Sequence, residues 1–223
     1  MSHNEVEDSR DVPRAVVAAA ASAVPIVGGP LGVVLQEVWA PRWQRNTVEF
    51  VEELADDVEV LAMEAEELRL KLEDEGVAEV FYRAGRTAQI SSHAATRRRC
   101  RAAVLNAARQ PENASLNLRF VRMIDELTPA HFTLLKFLQD PAADEAFSAA
   151  LQKIMGGSIV GPTAEAVGYS EEHIQLMNGD LSRLGLGQFP GGMITGNGML
   201  SKRTTDLGDK LLAFVEHPVA GDG

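Results

Sequence analysis

From Glu49 to Glu79 the chain sets thirteen carboxylates against two bases, Arg69 and Lys71, and runs an apolar seam through them. Val51, Leu54, Val58, Leu61, Ala65, Leu68 and Leu72 recur at alternating spacings of three and four, which on a helix are the a and d positions of three heptads. A long helix buries that seam while leaving the acids in water. The pattern predicts an acidic helix over 42–75, opened at Pro41 and ended by Gly76 as a C-terminal cap. Two partners fit the seam. One is a neighbouring helix of the same chain in an antiparallel bundle. The other is the same seam of a second chain, in which case Val51, Leu54, Val58, Leu61, Leu68 and Leu72 form a dimer interface.

This segment carries the whole charge imbalance. The chain of 223 residues has a net charge of −11, and thirteen acids less two bases is eleven, so the remainder is neutral. An acidic stretch repels nucleic acid locally without forbidding it elsewhere. The chain is 45% apolar but only 5% aromatic, and Ala and Leu supply most of the apolar content, which favours a mainly α fold. The single cysteine, Cys100, excludes an internal disulfide and an all-Cys zinc site.

Upstream, residues 1–12 read as a disordered polar tail. No basic stretch leads into an apolar signal core, so the expected compartment is the cytoplasm. From Ala15 to Gln36 there is no charge. A helix of that length would span about 33 Å, close to a bilayer core. Pro25, Gly28, Gly29 and Pro30 interrupt it, however, and much of the rest is Ala and Gly. The segment 13–40 is therefore expected to be an apolar helical hairpin. It is either packed in the core or, as a membrane-seeking element, held at the periphery of the inner membrane through residues 15–40. No Gly-Lys-Ser/Thr follows the glycines, so a phosphate loop is not implied.

Residues 77–109 read as a basic helical region that completes a helical domain over 13–110. Arg97, Arg98, Arg99 and Arg101 cluster there, and no acid lies between Arg83 and Arg109. Guanidinium forks suit phosphate oxygens, making the cluster a candidate anion patch, but the same arginines would also serve an acidic helix folded back beside them. Cys100 sits inside the cluster, where positive charge lowers a thiol pKa. Gln110 to Asn113 reads as a linker, with a second domain expected over 114–217 and a tail at 218–223.

In that second half, Thr128-Pro129 and Asp140-Pro141 are helix starts. Pro162 opens a short helix, Gly168 turns, and Ser170 caps the next, with Ile174, Met177, Leu181 and Leu184 on its inner face. Two β segments are expected, near 186–189 and 199–203, joined by a glycine-rich loop. Thr205 caps a last helix.

On Ala164, Gly168, Ser170, Leu181, Gly185-Leu186 and the Thr205 to Gly208 opening, residues 128–217 resemble the winged-helix regulators. The resemblance implies a helix-turn-helix with a small β wing, and Gln175, Asn178, Arg183, Lys202 and Arg203 as contacts to DNA or to a partner. Glu171, Glu172 and Asp180 on the same helix disfavour phosphate contact, so protein contacts fit that resemblance better than DNA. On the turn Pro25 to Pro30 and the segment Arg97 to Leu138, the overall plan resembles bacterial alpha-type abortive-infection proteins, which implies a setting in stress or anti-phage defence.

No catalytic constellation is read. His3, His93, His131, His173 and His217 lack metal-ligand spacing, no nucleophile-elbow motif is present, and the glycines near 191–198 fail the spacing of a dinucleotide fingerprint. No cofactor or metal is implied, and the chain is expected not to be an enzyme. Three readings stay open. The first is a non-catalytic adaptor that binds a protein partner or itself. The second is a dimeric DNA-binding regulator. The third is a membrane-active effector acting through residues 15–40.

Overall fold

The computed structural model describes residues 40–60, 74–152, 158–189, 198 and 200–216. The chain divides into two compact units, Met1–Asp125 with His217–Gly223, and Glu126–Glu216. The expected tails at 1–12 and 218–223 lie outside the described residues. So do the apolar hairpin up to residue 39, the acidic helix over 61–73 and the loop 190–197.

In the first unit, α1 spans Ala40–Val60, α2 Glu75–Ile90, α3 Ala94–Arg109 and α4 opens at Ala114 and runs to Glu126. α1 turns Phe50, Val51 and Leu54 inward at helical spacing. α2 starts because Asp74 accepts hydrogen bonds from the backbone N–H of Gly76 at 2.8 Å and of Val77 at 3.2 Å. Gly76 therefore sits in the first turn of a new helix rather than closing the acidic one. Its missing side chain matters, since a Cβ there would meet Ala114 Cβ at 2.8 Å. Val77, Val80, Ala84, Thr87 and Ala88 form the buried face of α2. α3 is buried nearly all round from Cys100 to Ala108 and packs against both α1 and α2. Its buried alanines, Ala102, Ala103, Ala107 and Ala108, let those neighbours come close. The expected boundary at 110–113 is a 3-10 turn inside this unit, Pro111–Asn113, and Asn117 Nδ2 donates to Gln110 O at 3.0 Å beneath it.

In the second unit, α5 spans Pro129–Gln139, α6 Glu145–Gln152, α7 Val160–Val167, α8 Glu171–Arg183 and α9 Asp206–Val215. Phe132, Leu134, Leu135 and Leu138 of α5 lie at the core, with Ile174, Met177, Leu181, Leu186 and Leu211. Phe137 meets Phe147 of α6 edge-to-face at 4.8 Å. α7 closes on Gly168 at φ 76°, whose N–H donates to Ala164 O at 3.0 Å, and Ser170 accepts from His173 N to start α8.

The expected β wing is corrected here. Among the described residues there is no strand; a single antiparallel bridge joins Gly187 to Thr204. The ladder stops because its neighbouring groups are taken elsewhere. Arg203 N–H donates to Leu138 O at 2.8 Å, one of the carbonyls left open in the last turn of α5. Leu186 N–H likewise donates to Leu181 O at 2.9 Å, while Thr205 N–H closes the bridge on Leu186 O at 2.9 Å and the Thr205 hydroxyl donates to Gly185 O and accepts from Gly208 N to cap α9. The stretch therefore docks on helices instead of extending a sheet.

A winged helix needs its wing, so the winged-helix and helix-turn-helix assignments give way to a unit whose described residues form helices and no strand. The adaptor reading through a winged-helix surface and the DNA-regulator reading fall as well. The likeness to abortive-infection proteins required the same winged end and is withdrawn with it. The membrane-effector reading is not kept either: its residues 15–39 lie outside the described residues, and among the described ones no helix is long and apolar enough to cross a membrane.

Candidate functional site: the charged ladder, the polar clusters and the outer face of α2

The acidic helix and the basic helix meet side by side. Glu49, Glu53 and Asp57 stand at four-residue steps on α1, and Arg97 and Arg101 at the same step on α3, so each series forms one row on its helix. Arg97 Nη2 lies 3.5 Å from Glu49 Oε2. Arg101 Nη1 pairs with Glu53, and its Nε donates to Asp57 Oδ2 at 2.8 Å. Arg101 is only 7% exposed. Arg98 is exposed and Arg99 partly buried, so the four candidate arginines do not converge on one outward phosphate site. The guanidinium of Arg99 is lowered from its ordinary pKa, first by burial and then by the charge of Arg98.

Of the expected dimer seam, Val51 and Leu54 are buried within this chain. The side chain of Val58 and all of Leu61, Leu68 and Leu72 lie outside the described residues. Beside the seam, the buried Asn46 donates through Nδ2 to Gln89 O at 2.9 Å and to Ser91 O at 3.3 Å. It thereby satisfies carbonyls at the C-terminus of α2. Cys100 is buried, and burial pushes its thiol up to about 12; the Asp125 charge adds to this, outweighing Arg99 and Arg101, which pull it down.

Sequence reasoning missed a polar chain in the second unit. Thr128 N–H donates to His131 Nδ1 at 3.2 Å, the Thr128 hydroxyl lies 2.8 Å from the same nitrogen, and His131 Nε2 lies 3.2 Å from Asp180 Oδ2. Arg183 then pairs with Glu126 and lies 3.6 Å from Asp180. Hydroxyl, imidazole and carboxylate in series have the connectivity of an activated nucleophile. Here the Nδ1 lone pair is already engaged by a backbone N–H, which places the proton on Nε2 and makes the arrangement a capping box for α5. The available signal was His131 three residues after the Thr128 cap, where a Glu or Gln usually sits.

The residues expected to touch DNA or a partner are mostly engaged within the unit. Lys202 pairs with Asp209, and Arg203 Nη2 donates to Gly198 O. Asn178 Oδ1 accepts from Phe189 N at 2.8 Å, and Arg183 is held as described, while Gln175 is exposed. Asp209 also accepts from Thr204 Oγ1 at 2.6 Å and Gln139 Nε2 at 3.2 Å. Among the described residues no group of three His, Cys, Asp or Glu could hold a metal ion.

Four large hydrophobic residues stand exposed among the described ones: Val48, Tyr82, Ile90 and Leu176. Two of them share α2. Tyr82 is 63% and Ile90 56% exposed, and with Ala78 and Arg86, both exposed, they form an outward ridge at four-residue steps. On α8, Leu176 is 66% exposed near the edge-to-face pair of Tyr169 and His173. Comparison with protein-family models, with curated proteins and with solved structures found no match.

Proposed function

We propose that this protein is a non-catalytic interaction protein that contacts another protein chain through the outer face of α2. The ridge Ala78, Tyr82, Arg86, Ile90 is the observation that carries this reading. A lone exposed apolar side chain is ordinary. An aromatic and a β-branched residue bracketing an arginine on one helical ridge have the composition of an interface centre, where Tyr and Arg are enriched. The ladder between α1 and α3 supports the reading by fixing the helices behind the ridge, so the face is presented on a preorganised scaffold. The setting we propose is the cytoplasm, where a lone cysteine such as Cys100 stays reduced.

The test is site-specific photocrosslinking in the source cell, with a benzophenone amino acid replacing Tyr82 and, as a control, the exposed Arg119. Adducts expected at position 82 are absent from position 119 and lost when Ile90→Asp is added. Equal patterns at the two positions, or none at position 82, would overturn the proposal.

A further inference from the structure

We infer that the occupant of the α2 face is α2 of a second copy, packed antiparallel about a twofold axis at the midpoint of the ridge, between Tyr82 and Arg86. This rests on the reading of that face given above.

The ridge is complementary to its own reversal. Read forwards it is small, aromatic, cationic, large: Ala78, Tyr82, Arg86, Ile90. Turned about its midpoint, it sets each Tyr82 beside the second copy's Arg86 and each Ala78 beside the second copy's Ile90. Both arginines then reach an aromatic face, and both large aliphatic side chains find a small residue opposite. A parallel pairing would instead put Arg86 against Arg86, with like charges in contact and both rings without a cation. The arrangement therefore selects an antiparallel isologous dimer over a parallel one.

Charge on the helix supports the same pairing. Arg83 is held by Glu79 at 2.7 Å, whereas Arg86 carries no ion pair among the described residues. It is the cation on the ridge left for a contact across the axis. The four-residue step is also a packing geometry: such ridges on two helices interdigitate when the axes cross at about −50°. The inner side of α2 is already committed to α1 and α3, so the ridge is presented outward, beside the exposed Glu79–Arg83 pair.

The experiment is sedimentation equilibrium of the full chain over a concentration series, followed by mapping of the benzophenone adduct from position 82 in the purified protein. The wild-type chain is expected to be a reversible dimer. Arg86→Glu and Ile90→Asp should each weaken it at least tenfold, and Arg119→Glu should leave it unchanged. The adduct should map to the α2 peptide containing Arg86 and Ile90 of the second copy. Circular dichroism of each variant establishes folding, and if Ile90→Asp fails to fold, Arg86→Glu alone carries the mutational arm. A chain monomeric at every concentration, a dimer indifferent to Arg86→Glu, or an adduct elsewhere would overturn the self-pairing. If crosslinking in cells at position 82 still captures a different protein, the interaction face survives and only its occupant is wrong. If it captures nothing, both fall.

Discussion

Arg101 Nε donates to Asp57 Oδ2 at 2.8 Å from a side chain buried between two helices, while the two carboxylates it serves, Asp57 and Glu53, keep contact with water. The asymmetry sets the size of the effect. Removing the buried cation leaves two acids one turn apart on α1 with no partner from α3, but water still reaches them. Arg101→Ala is expected to destabilise the first unit by about 2 kcal/mol, less than a fully buried pair would cost. Arg101→Lys should recover part of this, because an ammonium cannot span both acids as a fork does. Both tryptophans, Trp39 and Trp43, belong to the first unit, so urea unfolding followed by Trp fluorescence reads this unit alone. An unchanged midpoint for Arg101→Ala would show the ladder to be decorative.

Two glycines in the second unit separate backbone strain from steric exclusion. Gly168 has φ 76° but open space around its Cβ position, so Gly168→Ala should cost about 1 kcal/mol, the left-handed penalty alone. Gly208 has an ordinary φ, yet a Cβ there would overlap Leu186 O and lie 3.0 Å from its carbonyl carbon. Neither atom belongs to a side chain that could rotate away. Gly208→Ala should therefore cost more than about 3 kcal/mol and loosen the contact between α9 and residues 185–187. Hydrogen exchange over α8 and α9 checks both, and equal protection losses in the two variants would contradict the steric account.

The same contrast shows what was legible beforehand. Helix starts at Thr128, Ser170 and Thr205 and the turn at Gly168 were readable because each depends on a few adjacent residues. The β wing was misread because strand pairing is non-local. Nothing in residues 199–203 announces that Arg203 N–H will be taken by Leu138 O, more than sixty residues earlier in the chain. The break between α2 and α3 at Ser91 to His93 carries no Pro or Gly, and it is held in part by Asn46 from another helix. The ladder was half legible. Four-residue spacing in Glu49, Glu53 and Asp57 and in Arg97 and Arg101 was present in the sequence, but only the fold puts the two rows together. Periodicity likewise could not tell that Tyr82 and Ile90 lie on the outward side of α2.

Asp209 should make the second unit sensitive to acid. Burial alone would raise its carboxyl, but hydrogen bonds from Lys202, Thr204 and Gln139 outweigh that and hold it below the ordinary Asp value of 3.8. A carboxyl depressed in the folded state contributes stability that is fully present above its unfolded pKa and disappears as pH falls through the folded one. The loss should therefore develop below about pH 4. Asp209→Asn is expected to be less stable than wild type at neutral pH and to converge with it as the pH drops. Hydrogen exchange at α9 across an acid series is the measurement, and parallel curves for the two proteins would remove Asp209 from the account.

Cys100 works in the opposite direction, at alkaline pH. Arginines on either side would favour the thiolate, but burial decides, and the thiol is pushed up to about 12 from an ordinary 9.0. In the unfolded chain it ionises first, so between pH 9 and pH 12 the unfolded state holds fewer protons than the folded one, and stability falls as pH rises. Cys100→Ala should flatten that decline in the first unit, at the cost of a small cavity that lowers stability equally at every pH. The native thiol should also resist alkylation at pH 8 and react at the rate at which the first unit opens. Both can be read on one preparation, with thiol labelling followed by mass spectrometry and unfolding by Trp fluorescence. Rapid labelling of the folded protein would mean that α3 is accessible at Cys100. Such a result would undo the burial argument for Arg101 as well, since the two residues are neighbours on the same enclosed helix.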